Sequence, residues 1–439
     1  MKKNTLLLIF SLSLAQDSGS NESQYKDDAK ITMGMSGVYN STSFENIKHH
    51  PSDIYGSGFL SNFSFEQGSL MIINRMFMSD NWDDASKGGG KEVKNVYGYT
   101  HEGYVQYKNQ WGQINNKWKM GRSVIEHGFG KRGQLLISKD SRPFDLFSWD
   151  IQYKGLSGNM TGVQLENIET KKRYLSLHSI NWQINEQLIL SFSESSIYSG
   201  ENRGVEWQFF NPVIFWVPER ENPSTGQANG FIYGGLKYNY SPSLSFWGEL
   251  LIDDYQINKE SKGDLEPNEI GFLGGVEKTG WPLPSSDLWL EYTRITNRTY
   301  QTPDPSETYT HRGFSIGHYL GNDFDMIQLY YSQKNMSGKL KPYMSLAYLR
   351  DGANGLDTSW DEPWMDSTVT MDTGYSEPFP TGPIKYITEM ELAADYSFNN
   401  GSMINGGLFY RRNTLEGKTE EEFTVSLRLW LSLNKVFNY

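Results

Sequence analysis

The sequence predicts a single closed antiparallel transmembrane β-barrel, all-β and without a helical domain. Three observations lead there. Aromatic residues make up 14% of the chain beside 43 glycines, a composition that suits strands joined by turns. Apolar residues alternate with period two in one segment after another. The last of these segments keeps the alternation up to the final residue, over a length that soluble strands seldom reach.

The chain has 439 residues and a net charge of −12, with no cysteine. Disulfides, thiolate metal sites and cysteine nucleophiles are therefore excluded. The acidic balance argues against nucleic acid as a partner, because phosphate binding needs clustered Lys and Arg. Mean hydropathy is −0.59. No segment beyond the N-terminus approaches the roughly 20 apolar residues of a transmembrane helix. A barrel is compatible with that, since only every second residue of a strand faces lipid.

Taken in chain order, residues 1–15 read as a signal peptide. Lys2 and Lys3 precede an apolar stretch over 6–14, and Ser13-Leu14-Ala15 offers small residues for cleavage. The polar run 16–30 is a flexible lead into the first strand. From 31 to 439 the chain is expected to form the barrel, with long extracellular loops. Phe59, Phe63 and Phe65 alternate with Ser64 and Asn62 near its start. Leu188, Leu190 and Phe192 alternate with Ser191 and Ser193. Leu244, Phe246, Leu250 and Ile252 alternate with Ser245, Glu249 and Asp253. Met390, Leu392, Ala394, Tyr396 and Phe398 share one face, opposite Glu389, Glu391, Asp395 and Ser397. Short turns join neighbours at 240–243, 335–338 and 399–402.

In the final segment, 423–439, apolar residues hold eight of nine odd positions and two of eight even ones. That is one strand with one greasy face, longer than the ~9–11 residues a tilted strand needs to cross a bilayer. It ends the chain on an aromatic, as final outer-membrane strands do, and is the expected contact for the barrel-assembly machinery. Counting back from a periplasmic C-terminus puts the 351–383 loop outside and the 399–402 turn inside. Continued further, the count puts the 240–243 turn outside and the 258–268 loop inside. That reverses the usual order and points to a miscounted strand between 287 and 350.

A set of ordered blocks lies between about 121 and 321. They are Gly121-Arg122-Ser123, Gly128-Phe129-Gly130, Leu135-Leu136-Ile137-Ser138 and Arg142-Pro143-Phe144, then Ser193-Glu194, Ile197-Tyr198-Ser199-Gly200 and Asn211-Pro212. The block 249–256, with Asp253, Asp254 and Gln256, follows, then Glu291-Tyr292-Thr293-Arg294, Tyr309-Thr310-His311 and Ile316-Gly317-His318-Tyr319. In these the chain resembles the capsule-assembly Wzi family of outer-membrane proteins. The resemblance implies an 18-stranded barrel in the cell outer membrane that binds surface polysaccharide and supports capsule assembly or attachment without catalysis. It gives Arg122, Gly128, Gly130, Ser138, Asp253, Asp254, Gln256, Glu291, Tyr292, His311 and His318 as family-motif positions. It implies outer-membrane lipid as surroundings and no cofactor. The best-known members carry an N-terminal helical bundle, whereas residues 31–119 here read as strands.

Catalytic constellations are not evident. Asp253 and Asp254 are adjacent on a strand, so they face opposite sides and cannot act on one atom. His311 and His318, seven apart, likewise diverge on a straight strand, and no spacing supports a metal site. Gly88-Gly89-Gly90-Lys91 lacks the pattern of a phosphate loop. The 351–383 loop is the candidate polysaccharide site, through Asp357, Trp360, Asp361, Trp364, Asp366 and Tyr375. Flat aromatic faces with polar neighbours suit sugars, and an irregular loop this long is usually functional. The same loop could instead fold inward as a plug. A porin-like channel for sugars or other small solutes is the alternative function.

Overall fold

The computed structural model describes residues 29–40, 58–79, 91–93, 96–216, 228–257, 260–334 and 337–438. The expected signal peptide and nearly all of the lead lie outside them.

Eighteen strands form the barrel: β1 (Lys30–Asn40), β2 (Gly58–Gln67), β3 (Leu70–Ser79), β4 (Val96–Trp111), β5 (Ile114–Ser123), β6 (Phe144–Tyr153), β7 (Leu156–Gln164), β8 (Lys172–Gln183), β9 (Leu188–Gly200), β10 (Asn229–Ser241), β11 (Leu244–Asp254), β12 (Glu269–Thr279), β13 (Ser286–Ile295), β14 (Phe324–Gln333), β15 (Leu340–Asp351), β16 (Lys385–Ser397), β17 (Met403–Leu415) and β18 (Lys418–Asn438). Each pairs antiparallel with its sequence neighbours. β1 closes on β18, from Lys30 opposite Asn438 to Asn40 opposite Arg428. Closure leaves no strand edge unpaired in lipid. A short strand, Lys91–Val93, pairs with β4 as a side hairpin. The described part of 31–119 is strand and turn throughout.

The alternation sets the outer face. On β18, Phe423, Val425, Leu427, Leu431 and Leu433 are 47–66% exposed, and on β16 Leu392 and Tyr396 point outward with them. The short turns gather at the end where β1 begins and β18 finishes, and most long connections lie at the other. By the usual rule the first end is periplasmic and the second extracellular. This corrects the count from sequence. The 240–243 turn is periplasmic and the loop between β11 and β12 extracellular. Of the barrel strands, β13, β14 and β15 lie between 287 and 350 among the described residues. The motif-rich segment 296–323 between β13 and β14 contributes as strand just a short hairpin, Thr310–His311 against Phe314–Ser315, outside the barrel sheet. One extracellular connection is tight. Glu416 (φ 49°) and Gly417 (φ 78°) alone join β17 to β18, the left-handed pair that a two-residue hairpin needs.

The inward face is not uniformly polar. Phe144, Leu175, Leu177, Phe231, Leu251, Leu273 and Phe324 point into the lumen and are fully or almost fully buried. They form one apolar core with Leu135, Leu136, Ile137, Tyr300, Tyr309 and Ile316, which belong to two extracellular loops folded inward. On the periplasmic side an open polar pocket of about 610 Å³ is lined by Lys108, Asn115, Lys117, Asp150, Asn159 and Asn181.

Candidate functional site

The inward-folded loops 124–143 and 296–323 are tied to the wall by lumen-facing charges. Glu249, on β11, accepts three backbone N–H groups of the first loop, from Phe129, from Gly130 at 2.6 Å and from Leu135 at 2.9 Å. Glu291, on β13, accepts Lys131 N at 2.7 Å, Arg132 N at 3.0 Å and the Trp247 indole N–H at 2.8 Å. Irregular backbone can occupy a buried lumen only if its polar groups find partners, and these carboxylates supply them. Arg173, fully buried on β8, does the converse for the second loop. Its guanidinium donates to the carbonyls of Ser306 (2.5 Å), Thr308 (2.7 Å) and Thr310 (3.0 Å). The loops also hold each other: Tyr300 OH donates to Leu135 O at 2.5 Å and Ser138 N to Ile316 O at 2.8 Å.

Most family-motif positions build this plug or its rim. A side chain at Gly128 (φ 146°) would press on Gln134 and Glu249, and one at Gly130 on Leu273. Ser138 Oγ accepts from Asp140 N at 3.2 Å. Asp253 faces inward and accepts Tyr300 N at 2.6 Å, whereas Asp254 bonds Tyr255 N and Gln256. The two carboxylates part as their adjacency on a strand requires. Gln256 N in turn donates to Asn268 Oδ1 at 3.0 Å. Arg122 clasps Asp145 at 2.7 and 2.8 Å, and Tyr292 donates to Asp325 at 3.2 Å.

His311 and His318 lie in the second loop rather than on one barrel strand. His311 Nδ1 meets Glu166 at 2.5 Å, and its ring stacks on Phe144. His318 is fully buried between Tyr319 and Phe324. A third loop histidine, His127, bonds Ser193 Oγ at 2.7 Å and Ser191 Oγ at 3.2 Å. Among the described residues, the His311–Glu166 pair and the His127–Ser193–Ser191 group share no member. Among the described residues no group of three His, Asp or Glu converges as a metal site would need.

The 351–383 loop caps the plug and packs Leu356 against its apolar core. It lies over the second plug loop at the extracellular mouth, with one short 3-10 turn at Pro363–Met365. Asp323 anchors it by accepting from Thr381 N at 2.9 Å, from the Thr381 hydroxyl and from Asn354 N at 3.2 Å. Four of the six expected site residues gather around Arg298. Its guanidinium lies 5.0 Å from the Trp360 ring and 4.8 Å from that of Trp364. It pairs with Asp361 at 2.6 Å and Glu377 at 3.0 Å, and Tyr375 OH donates to Glu377 at 3.1 Å. Trp364 is only 3% exposed, so its faces serve packing, while Trp360 and Tyr375 stay half-buried. Asp357 and Asp366 stand apart. Asp357 is exposed, and the Asp366 carboxylate is taken up by Thr368 N and Oγ1, each at 2.9 Å. Arg298 and Glu377 escaped the sequence reading, since an isolated Arg after a strand and a Glu beside a proline carry no local signal.

A family model described as "Capsule assembly protein Wzi" matches residues 15–424. The chain belongs to the Wzi capsule-assembly family. It is therefore an outer-membrane barrel, and its sequence blocks are read in the Wzi frame. Among solved structures, Wzi from Escherichia coli superposes with a TM-score of 0.61 at 13% identity, covering 93% of this chain and 84% of that one. That protein is described as an outer membrane protein involved in group 1 capsule assembly and a carbohydrate-binding β-barrel. Two Pseudomonas aeruginosa barrels, OpdK and OccK5 (OpdH), each superpose at a TM-score of 0.50 and 11% identity, covering 94% of this chain and 100% of theirs. At these identities the likeness is one of fold. No curated protein matches the chain.

Proposed function

We propose that this Wzi-family barrel binds surface polysaccharide at its extracellular mouth and supports capsule or exopolysaccharide assembly or attachment, without a catalytic step. The observation that carries the reading is the Arg298 cluster. It presents partly exposed Trp360 and Tyr375 beside the Asp361 carboxylate, 71% exposed, above a lumen filled by two tied loops. Aromatic faces and carboxylates fixed by a buried cation suit a hydroxyl-rich chain laid across the mouth. A filled lumen disfavours the channel alternative. In the same proposal, residues 1–15 direct export, and the barrel-assembly machinery receives the chain through its last strand, 423–439.

The test is binding of the folded, detergent-solubilised protein to its own organism's surface polysaccharide, alongside Arg298→Ala and a variant lacking residues 357–379. Expected is binding by the parent, about tenfold weaker binding by Arg298→Ala, and none by the deletion. Undiminished binding by both variants would move the site elsewhere. No binding by the parent, together with steady conductance in planar bilayers, would overturn the reading in favour of a channel.

A further inference from the structure

The outer wall carries polar residues at a height where hydrocarbon should meet apolar ones. On β7, β8 and β9 the outward side chains begin at the periplasmic end with Leu156, Trp182 and Leu190. Further up they reach Met160, His178 and Glu194, side by side in register. His178 Nε2 lies 2.7 Å from Glu194 Oε2. Ionisable groups facing lipid are costly unless covered.

The chain after β9 provides the cover by doubling back down the outside of the barrel. Trp216 stacks on the His178 ring at 4.0 Å, and its backbone N–H donates to Glu194 at 3.1 Å. Phe210 stacks on Phe147 and occupies the space over Gly162. Over 207–216 what this strap turns outward is apolar: Trp207 is 83% exposed, Val213 85% and Phe215 64%. The strap thus rebuilds the greasy surface that it hides.

It does not lie flush. Between residues 212–215 and the wall is a crevice of about 620 Å³, lined mainly by Trp149, Ile151, Met160, Ile180 and Phe192, with His178 as its ionisable member. Polyols are excluded by such a lining, because their hydroxyls would go unpaired. The crevice is continuous with the barrel's lipid-facing surface, so the molecules at its entrance are those of the bilayer. We propose that it binds one acyl chain of a membrane lipid, held between strap and wall and set apart from the lipid that merely surrounds the barrel. The inference is independent of what the mouth binds.

The test is photo-crosslinking of the full chain, reconstituted in phosphatidylethanolamine vesicles doped with a phosphatidylethanolamine that carries a diazirine on one acyl chain. Labelling is expected to concentrate on peptides containing 158–160, 178–180 and 212–215, about tenfold above the freely exposed face of β18. Gly158→Leu places a side chain in the crevice. The only neighbour of its Cβ within 4 Å is Ser179 O, at 3.7 Å, so the wall accepts the change. It should reduce labelling there to the β18 level while the barrel keeps its heat-dependent gel mobility. If that variant fails to fold, Ile180→Trp narrows the same space. Even labelling of the whole lipid face, or crevice labelling untouched by the filling substitution, would overturn the proposal.

Discussion

Glu249 has a consequence out of proportion to one side chain, because three backbone donors of an inward loop end on it. Leaving a buried donor without a partner costs about 1–3 kcal/mol. Glu249→Ala should therefore release the 124–143 loop, seen as rapid cleavage there by added protease. Glu249→Gln, which keeps an acceptor oxygen, should be milder. Protection unchanged in the Ala variant would mean that apolar packing alone holds the loop. The inward direction of Glu249 was legible from the alternation of β11. Its partners were not, for they lie 114 to 120 residues upstream in a loop. A carboxylate that grips backbone looks, in sequence, like any lumen-facing one. The same holds for Trp360 and Trp364: both were marked as aromatic faces, and only packing around Arg298 shows that the second is spent on structure.

Among the elements, β18 was the most legible. Its apolar face was read over 423–439, and the strand runs over Lys418–Asn438. The start escaped notice because Glu420, Glu421 and Glu422 stand at the extracellular rim, where no lipid imposes alternation. Leu431→Arg, within the apolar run, should cost on the order of 2 kcal/mol. The check is a smaller heat-modifiable fraction on gels of assembled protein. Segment 296–323 was the least legible, because its apolar residues pack into the plug rather than face lipid. Apolar spacing alone does not separate the two environments. The plug should respond to pH. Burial holds His127 down at about 4, and burial with the nearby Arg132 holds His318 down at about 3. Against an unfolded value of about 6.5, their contribution to docking is complete above that pH and is lost as pH falls through 4 and 3. Glu307, pushed up to about 7 chiefly by burial, acts in the opposite sense, contributing fully below about 4.5 and losing its share as pH rises through 7. Glu307→Gln removes one contribution of the opposite sense, so protease nicking of the plug loops should grow more steeply from pH 6.5 downward than in the parent. Flat protection to pH 3 would rule it out.

At the scale of the whole molecule, closure and filling are separate properties. The antiparallel circuit that ends with β18 on β1 makes the barrel, so gel mobility should change on boiling even when the plug is loosened. The filled lumen determines conduction. The parent should be silent in planar bilayers, and Glu249→Ala combined with Arg173→Ala should open transient conductance, since one removes acceptors for the first loop and the other donors for the second. Silence in the double variant would show that the apolar core suffices as a seal. The barrel itself was readable because a lipid boundary imposes a period of two on every strand. The filling was not, because nothing periodic marks a loop that folds inward.

The ties of the first loop also set an order of construction. Residues 124–143 follow β5, yet their acceptors lie on β11 and β13, and Tyr300 comes later still. Until β11 and β13 are in place, Phe129, Gly130, Leu135, Lys131 and Arg132 of that loop lack the Glu249 and Glu291 carboxylates as acceptors, although His127 already has Ser191 and Ser193 on β9. The interior is therefore sealed only once β5, β11 and β13 stand together, whichever end of the wall is laid down first.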